Sequence, residues 1–245
     1  MKHVLYGGEV EIDFDEGRHV YSSGGVLIPG VTSILSRLSK EALIQWAANC
    51  ATDYVRNNFT PECDLEALLK DAKTAHRRLA REAANIGTEV HKYAEAVLKG
   101  DTHAIIPDGP AQKGCEAFLD WLDAHEVETL SSERVIFSKA DWYAGTCDFY
   151  GMVNGVLTVG DIKTSGAIYP EMLLQTAAYI RAIEEETGDR VAQRIIIRVD
   201  KKTGVFEPYV LPYSERDVQT FRMLREVHRG MTALEDEMKE RKAAA

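Results

Sequence analysis

The dipeptide Asn154-Gly155 stands between alternating apolar residues, with Val153 before it and Val156 after it. Asn-Gly is the strongest short signal for a two-residue hairpin of type I′, because both central residues of that turn need positive φ. Such a turn fixes a register. With Val153 opposite Val156, facing residue numbers sum to 309, so Asp148 is expected opposite Asp161 and Thr146 opposite Lys163. Directly opposed residues have Cβ atoms about 4.5–5.5 Å apart, and like charges there are destabilising unless something positive lies between them. A divalent cation is the expected compensation. Oxygen ligands with open positions suit Mg²⁺, with Mn²⁺ as a substitute, better than zinc, which favours His and Cys.

Lys163 shares a strand face with Asp161, two residues before it. Two carboxylates and an ammonium gathered in this way are equipment for phosphodiester hydrolysis. The ion lowers the pKa of a water and polarises a phosphoryl oxygen, while Lys163 orients the nucleophile or offsets charge in the transition state. The alternative is an exposed hairpin with its acids in water. Val156, Leu157, Val159 and Ile162 count against it, because they mark a buried strand in which unpaired charge is costly.

Around this hairpin the pattern is mixed. Tyr21 to Val31 reads as a hairpin or extended lead-in, rich in Gly and β-branched residues. Helices are expected from a Ser39 cap to about Val55, with Leu43, Trp46, Ala47 and Cys50 on one buried face, and from Asp64 to Leu98, with Gly87 as a break and Gly100 as the stop. Pro110 opens another helix to about Ala124. From Glu133 the period changes to that of adjacent strands, Pro170 starts a helix that Gly188 ends, two strands flank a turn at 201–204, and Ser214 caps a last long helix. The expected class is α/β in one domain over 1–245, with a mainly helical part at 1–130 and a sheet core at 131–213.

The chain has 45% hydrophobic and 28% charged residues, the balance of a globular protein, and no run approaches the roughly 18 apolar residues of a membrane helix. The segment MKHVLYGGEVEID has neither a secretory nor a transit pattern, so a cytoplasmic protein is expected. Cys50, Cys63, Cys115 and Cys147 form no CxxC pair, and reduced, structural thiols are the expectation. A net charge of −10 gives no long-range attraction for a polyanion, so nucleic acid would have to be met by local geometry.

Several ordered motifs resemble the PD-(D/E)XK nuclease superfamily, in its RecB-type and phage exonuclease branch. Gly145-Thr146-Cys147-Asp148 is similar to the branch's G-x-x-D strand, and Asp161-Ile162-Lys163-Thr164 to its (D/E)-x-K strand. Gln175 and Tyr179 match Q-x-x-x-Y, and Gly87, His91 and Glu95 match the G-x-x-x-H helix. Glu133 stands where an acidic residue is frequent, and the lead-in VYSSGGVLIPGVTSIL followed by a Trp-bearing helix looks like phage members, so the likeness runs over about 20–200.

The resemblance implies a restriction-endonuclease-like core, a central mixed sheet flanked by helices. It implies that Asp148, Asp161, His91 and the main-chain carbonyl of Ile162 bind the metal and that Lys163 is the catalytic lysine. Glu95, one turn on along the same helix face, either orients His91 or is a solvated acid, and Gln175 and Tyr179 are expected to face the active site and DNA. Arg77, Arg78 and Arg81, with Arg194, Arg198, Lys201 and Lys202, are the candidate DNA contacts. No cysteine follows Cys147, so the iron–sulfur cluster of one sub-branch lacks its ligands. The expected activity is a Mg²⁺-dependent DNA exonuclease of bacterial or phage type in recombination, repair or degradation, with a single-strand annealing or recombination protein, or further copies of the chain, as partners. A structure-specific endonuclease of the same fold and a catalytically silent DNA-binding protein are the alternatives.

Overall fold

The Asn154-Gly155 turn forms as the dipeptide demands, with φ of +51° and +75° at its two residues, and it lies within the larger of two sheets. A computed structural model describes residues 1–199 and 205–244. The turn at 201–204, with Lys201 and Lys202, lies outside the described residues, as does Asp200.

In chain order the first elements are strands β1 (Lys2–Leu5), β2 (Val10–Asp15), β3 (Val20–Ser23) and β4 (Val26–Ile28), an antiparallel meander. Helices α1 (Val31–Leu35), α2 (Glu41–Asn58), α3 (Leu65–Leu98) and α4 (Gln112–Asp123) follow. Strands β5 (Val127–Ser138), β6 (Tyr143–Val153) and β7 (Val156–Lys163) are antiparallel neighbours. Helix α5 (Pro170–Thr187) then crosses back to β8 (Gln193–Val199), which pairs parallel to β7, and β9 (Phe206–Pro212) closes the edge before α6 (Glu215–Ala243). The result is the α/β class expected from the sequence, a mixed five-stranded sheet in the order β5-β6-β7-β8-β9 flanked by helices.

Each face of that sheet has its own core. Ile180, Ile183 and Tyr179 of α5 pack with α1, Phe221 of α6, and Tyr143, Cys147 and Val159 of the sheet. On the other face Val90 and Tyr93 of α3 and Phe118 of α4 pack on Phe149, Ile162, Ile195 and Ile197. The meander joins through Ile12, Tyr21 and Ile28 against Val135, Phe137 and Ala144.

Several expectations are corrected. Strands β1 and β2, which precede the expected lead-in, went unread because their alternation is short, with Leu5, Ile12 and Phe14 their only buried residues. Lys40, not Ser39, precedes α2, and of its expected inner face only Cys50 is buried, Leu43 being 53% exposed. Helix α3 runs through Gly87 without a break from an Asp64 cap whose carboxylate accepts from the Glu66 and Ala67 N–H groups. No helix among the described residues is long and apolar enough to cross a membrane.

Candidate active site

The β6–β7 ladder keeps the sum of 309 from Val153↔Val156 to Phe149↔Gly160 and then ends. Asp148 and Asp161 are the next two residues, so the direct pairing expected for them, and for Thr146 with Lys163, does not occur. On its other side Asp148 also falls in a gap. The β5–β6 pairing passes from Ser132↔Phe149 to Arg134↔Cys147, omitting Glu133, whose φ is +50°. A non-glycine residue in that region is uncommon and breaks the run of paired residues. The alternation of β6 inverts at the same point. Cys147 packs on the α5 side and Phe149, two residues on, packs on the α3 side.

The irregularity frees Asp148 to make side-chain contacts. Its Oδ2 accepts the Ile162 N–H at 2.6 Å, so a carboxylate replaces the lost ladder bond across to β7. The same oxygen lies 3.6 Å from His91 Nδ1 on α3. His91, Glu133 and Asp148 each offer one ligand atom, and those atoms lie within 4.8 Å of one another. Burial pushes the Glu133 carboxyl up to about 7, and the charges of Asp148 and Glu95 add to the effect.

Asp161 sits at the end of β7 with 1% of its surface exposed. Lys163 forms an ion pair with its Oδ2, and that oxygen is buried without an aligned hydrogen bond. Gln175 Nε2 donates to Asp161 Oδ1 at 3.1 Å and to Tyr179 Oη at 2.6 Å. Burial raises the Asp161 carboxyl, opposed by the Lys163 ammonium and assisted by the charge of Asp148. For Lys163, burial favours the neutral amine, but Asp161 and Asp148 outweigh it and the pKa rises, so the ammonium stays charged. Three carboxylates facing one ammonium leave an excess of negative charge, and one buried carboxylate oxygen lacks a directed donor. A nitrogen and carboxylate oxygens so placed fit a hard divalent cation.

Two glycines permit these approaches. A Cβ on Gly87 would overlap Thr164 Oγ1, so only glycine lets α3 cross the end of β7 and bring His91, one turn on, to Asp148. A Cβ on Gly145 would lie 2.9 Å from a ring carbon of Tyr179, beneath Gln175 and Asp161. The glycines of the two motifs are thus steric allowances. Thr164 stood in the sequence only as the end of the (D/E)-x-K motif, and its close approach to Gly87 was not foreseen. The role of Tyr21 was not foreseen either; its buried hydroxyl is 2.8 Å from Thr146 Oγ1 and ties the meander to the strand that carries Asp148.

Some expected site residues lie elsewhere. Gln175 and Tyr179 face Asp161 from α5 and are buried there, Tyr179 being only 3% exposed. Glu95 pairs with Lys99 rather than orienting His91. Arg77, Arg78 and Arg81 are exposed on α3, 10 to 14 residues before His91, which is about 15–21 Å along the helix. Arg78 lies over the Tyr54 ring at 5.2 Å. Arg194 is buried, donating to the Leu173 carbonyl at 2.7 Å and paired with Asp217, and Arg198 donates to Glu207. Neither is a free DNA contact. Cys147 is a packed thiol that burial pushes far up, and all four cysteines are unbridged.

By sequence the chain matches no protein-family model and no curated protein. Solved structures similar to it include exonucleases. A candidate exonuclease from Eubacterium rectale superposes with a TM-score of 0.40 at 17% identity, over 59% of this chain and 64% of that one. LHK-Exo in complex with dAMP gives a TM-score of 0.37 at 15% identity, over 66% of this chain and 92% of its own; a further structure of LHK-Exo is described as an alkaline exonuclease from Laribacter hongkongensis. SSO0001 gives a TM-score of 0.38 at 17% identity, over 82% and 84% of the two chains. The chain therefore spans just under two thirds of the first of these proteins.

Proposed function

We propose that the chain is a metal-dependent deoxyribonuclease of PD-(D/E)XK type, with Mg²⁺ as its ion and Mn²⁺ as a substitute. In this reading it is an exonuclease that works in the cytoplasm of a bacterial or phage-infected cell, in DNA recombination, repair or degradation. One observation carries it: both ladders lapse at Asp148, and the acids, the imidazole and the ammonium meet at that lapse. Such an arrangement is costly to fold and has no packing value.

His91, Glu133 and Asp148, with Asp161 and the Ile162 carbonyl beside them, would hold the cation. When bound, the ion polarises a phosphoryl oxygen and makes a water a better nucleophile. Lys163 keeps its proton at Nζ, and there it offsets negative charge that grows on the reacting phosphate. Gln175 fixes the Asp161 carboxylate from below, so that Oδ2 is the oxygen left for the site, and Tyr179, held protonated by burial, fixes Gln175. The Ile162 N–H does the same for Asp148. The preorganised carboxylates do not have to be gathered as the reaction begins.

A free DNA end can thread to so local a site, whereas a net charge of −10 does not attract uninterrupted duplex. Matched linear, nicked and covalently closed DNA, incubated with Mg²⁺ or with EDTA, tests the reading. Progressive loss of linear DNA with survival of closed circles is the expected result. Rapid internal cutting of closed circles would establish the structure-specific endonuclease instead, and binding without cleavage would establish the silent DNA-binding protein. A single-strand annealing or recombination partner and self-assembly are questions for co-purification and sedimentation.

A further inference from the structure

A groove of about 500 Å³ opens beside the site, between the loop that leaves β7, the start of α5 and the edge strand β9. Its volume falls within the roughly 300–1,000 Å³ of small-ligand sites. Tyr169 and Tyr209 both line it and are 40% and 45% exposed. Tyr169 follows Lys163 by six residues and immediately precedes α5. Tyr209 lies in one cross-strand row with Ile196 and Asp161. Residues of one row share a sheet face, and two strand spacings put Tyr209 about 10 Å from Asp161. The groove is therefore about one nucleotide step or two from the reacting phosphate.

Its chemistry selects among occupants. Arg198 donates from Nε and Nη2 to Glu207 Oε2, at 2.9 and 2.8 Å, and from Nη1 to the Ser165 carbonyl at 3.1 Å. The charged groups of the wall are spent on each other, so the wall gives a phosphate no excess positive charge. Pro170 and Leu173 add apolar surface. What remains is a groove lined by two tyrosines and apolar side chains, a chemistry that suits a nucleobase better than a phosphate. Every base has a π-face, so stacking of this kind tolerates sequence and needs no basic surface, which suits a chain of net charge −10.

We propose that this groove takes an unpaired nucleobase of the DNA strand engaged at the active site, stacked on Tyr169 and Tyr209. The inference rests on the nuclease reading and narrows its substrate to DNA with a single-stranded segment next to the cleaved bond. Binding of oligodeoxythymidylate of about ten nucleotides, measured by fluorescence anisotropy in EDTA, is independent of turnover. Wild type should bind it at least about tenfold more tightly than an abasic strand of equal length. Tyr169→Leu/Tyr209→Leu should lose that preference, and Tyr169→Phe/Tyr209→Phe should keep it. With Mg²⁺ the Leu pair should raise KM for the oligonucleotide about tenfold with kcat within about twofold, since the rings touch no reacting atom. Equal affinity of wild type for the thymidylate and abasic strands would overturn the proposal, as would a Leu pair that binds as wild type does. Absence of cleavage by wild type in Mg²⁺ would instead remove the nuclease reading, a result separate from the binding series.

Discussion

From Val153 to Phe149 each residue of β6 has a partner on β7, and the apolar side chains at this end pack into one of two cores. At Asp148 the partner is lost, the alternation inverts, and a carboxylate takes the place of a backbone acceptor. The turn end gains stability from repetition. The open end gives up repetition to bring charged groups together, and it is held by single contacts from outside the hairpin: His91 from α3, Gln175 from α5, and Glu133 at a positive φ. If this division is real, substitutions at the open end should damage chemistry more than folding, and substitutions at the turn end should do the reverse.

The largest effect is expected at Lys163 and Asp161. Lys163→Ala and Asp161→Asn should each slow cleavage of linear DNA by on the order of 10³-fold, measured as initial rates in Mg²⁺. Asp161→Asn should also lower the melting temperature in EDTA, because the half-buried Lys163 ammonium loses its carboxylate, and Asp161→Asn/Lys163→Met should recover part of that loss. A fully active Asp161→Asn protein would erase the distinction between the two ends.

Gly87→Ala comes next. The added methyl would strike Thr164 and lift α3 from β7, at a cost of about 1–3 kcal/mol with weakened cation affinity by calorimetry. Removing the hydroxyl leaves only ordinary contacts, so Gly87→Ala/Thr164→Ala should regain most of both. A double variant no better than Gly87→Ala would show that α3 is placed by something other than this close approach.

A pH titration sharpens the comparison further. Glu133 holds its proton more tightly folded than unfolded, so its contribution to stability is complete below about 4.5, its ordinary value, and is lost as pH rises through about 7. The cation-free protein should therefore melt at lower temperature at pH 8 than at pH 5, by denaturation in EDTA. Glu133→Gln should flatten the dependence. Burial of Asp161 acts in the same sense, so a residual slope should remain in that variant.

The smallest effect belongs to the turn. Gly155→Ala places a Cβ at φ +75° and should cost about 1 kcal/mol, with cleavage rate unchanged once folded. A large catalytic defect there would mean that the two ends are not independent.

The same contrast explains what was legible in the sequence. Asn154-Gly155 and the flanking valines specify the turn end by local rules, and the register follows through five pairs. The motif residues at the open end could be named, because their spacing survives in the chain. Their arrangement could not, since it depends on a positive φ at Glu133, which is an unusual residue for that conformation, and on a close approach of Gly87 to Thr164, 77 positions away. The burial of Arg194 was hidden for a related reason: its partners, the Leu173 carbonyl and Asp217, lie on two different helices, each more than 20 positions away. Charge in a sequence does not reveal which cations are already matched inside the protein.

The bond from the Ile162 amide to Asp148 has a spectroscopic consequence. An N–H held at 2.6 Å by a carboxylate is a short, charge-assisted donor. Its proton should resonate well downfield of the other β7 amides in a ¹H–¹⁵N spectrum. Any event that redistributes charge on Asp148 must pass through this bond, so one backbone resonance, in a residue whose side chain is buried on the opposite core, becomes a gauge of the state of the site. It can be followed in ¹⁵N-labelled protein without substrate or turnover of DNA, and it would disappear from its unusual position in Asp148→Ala.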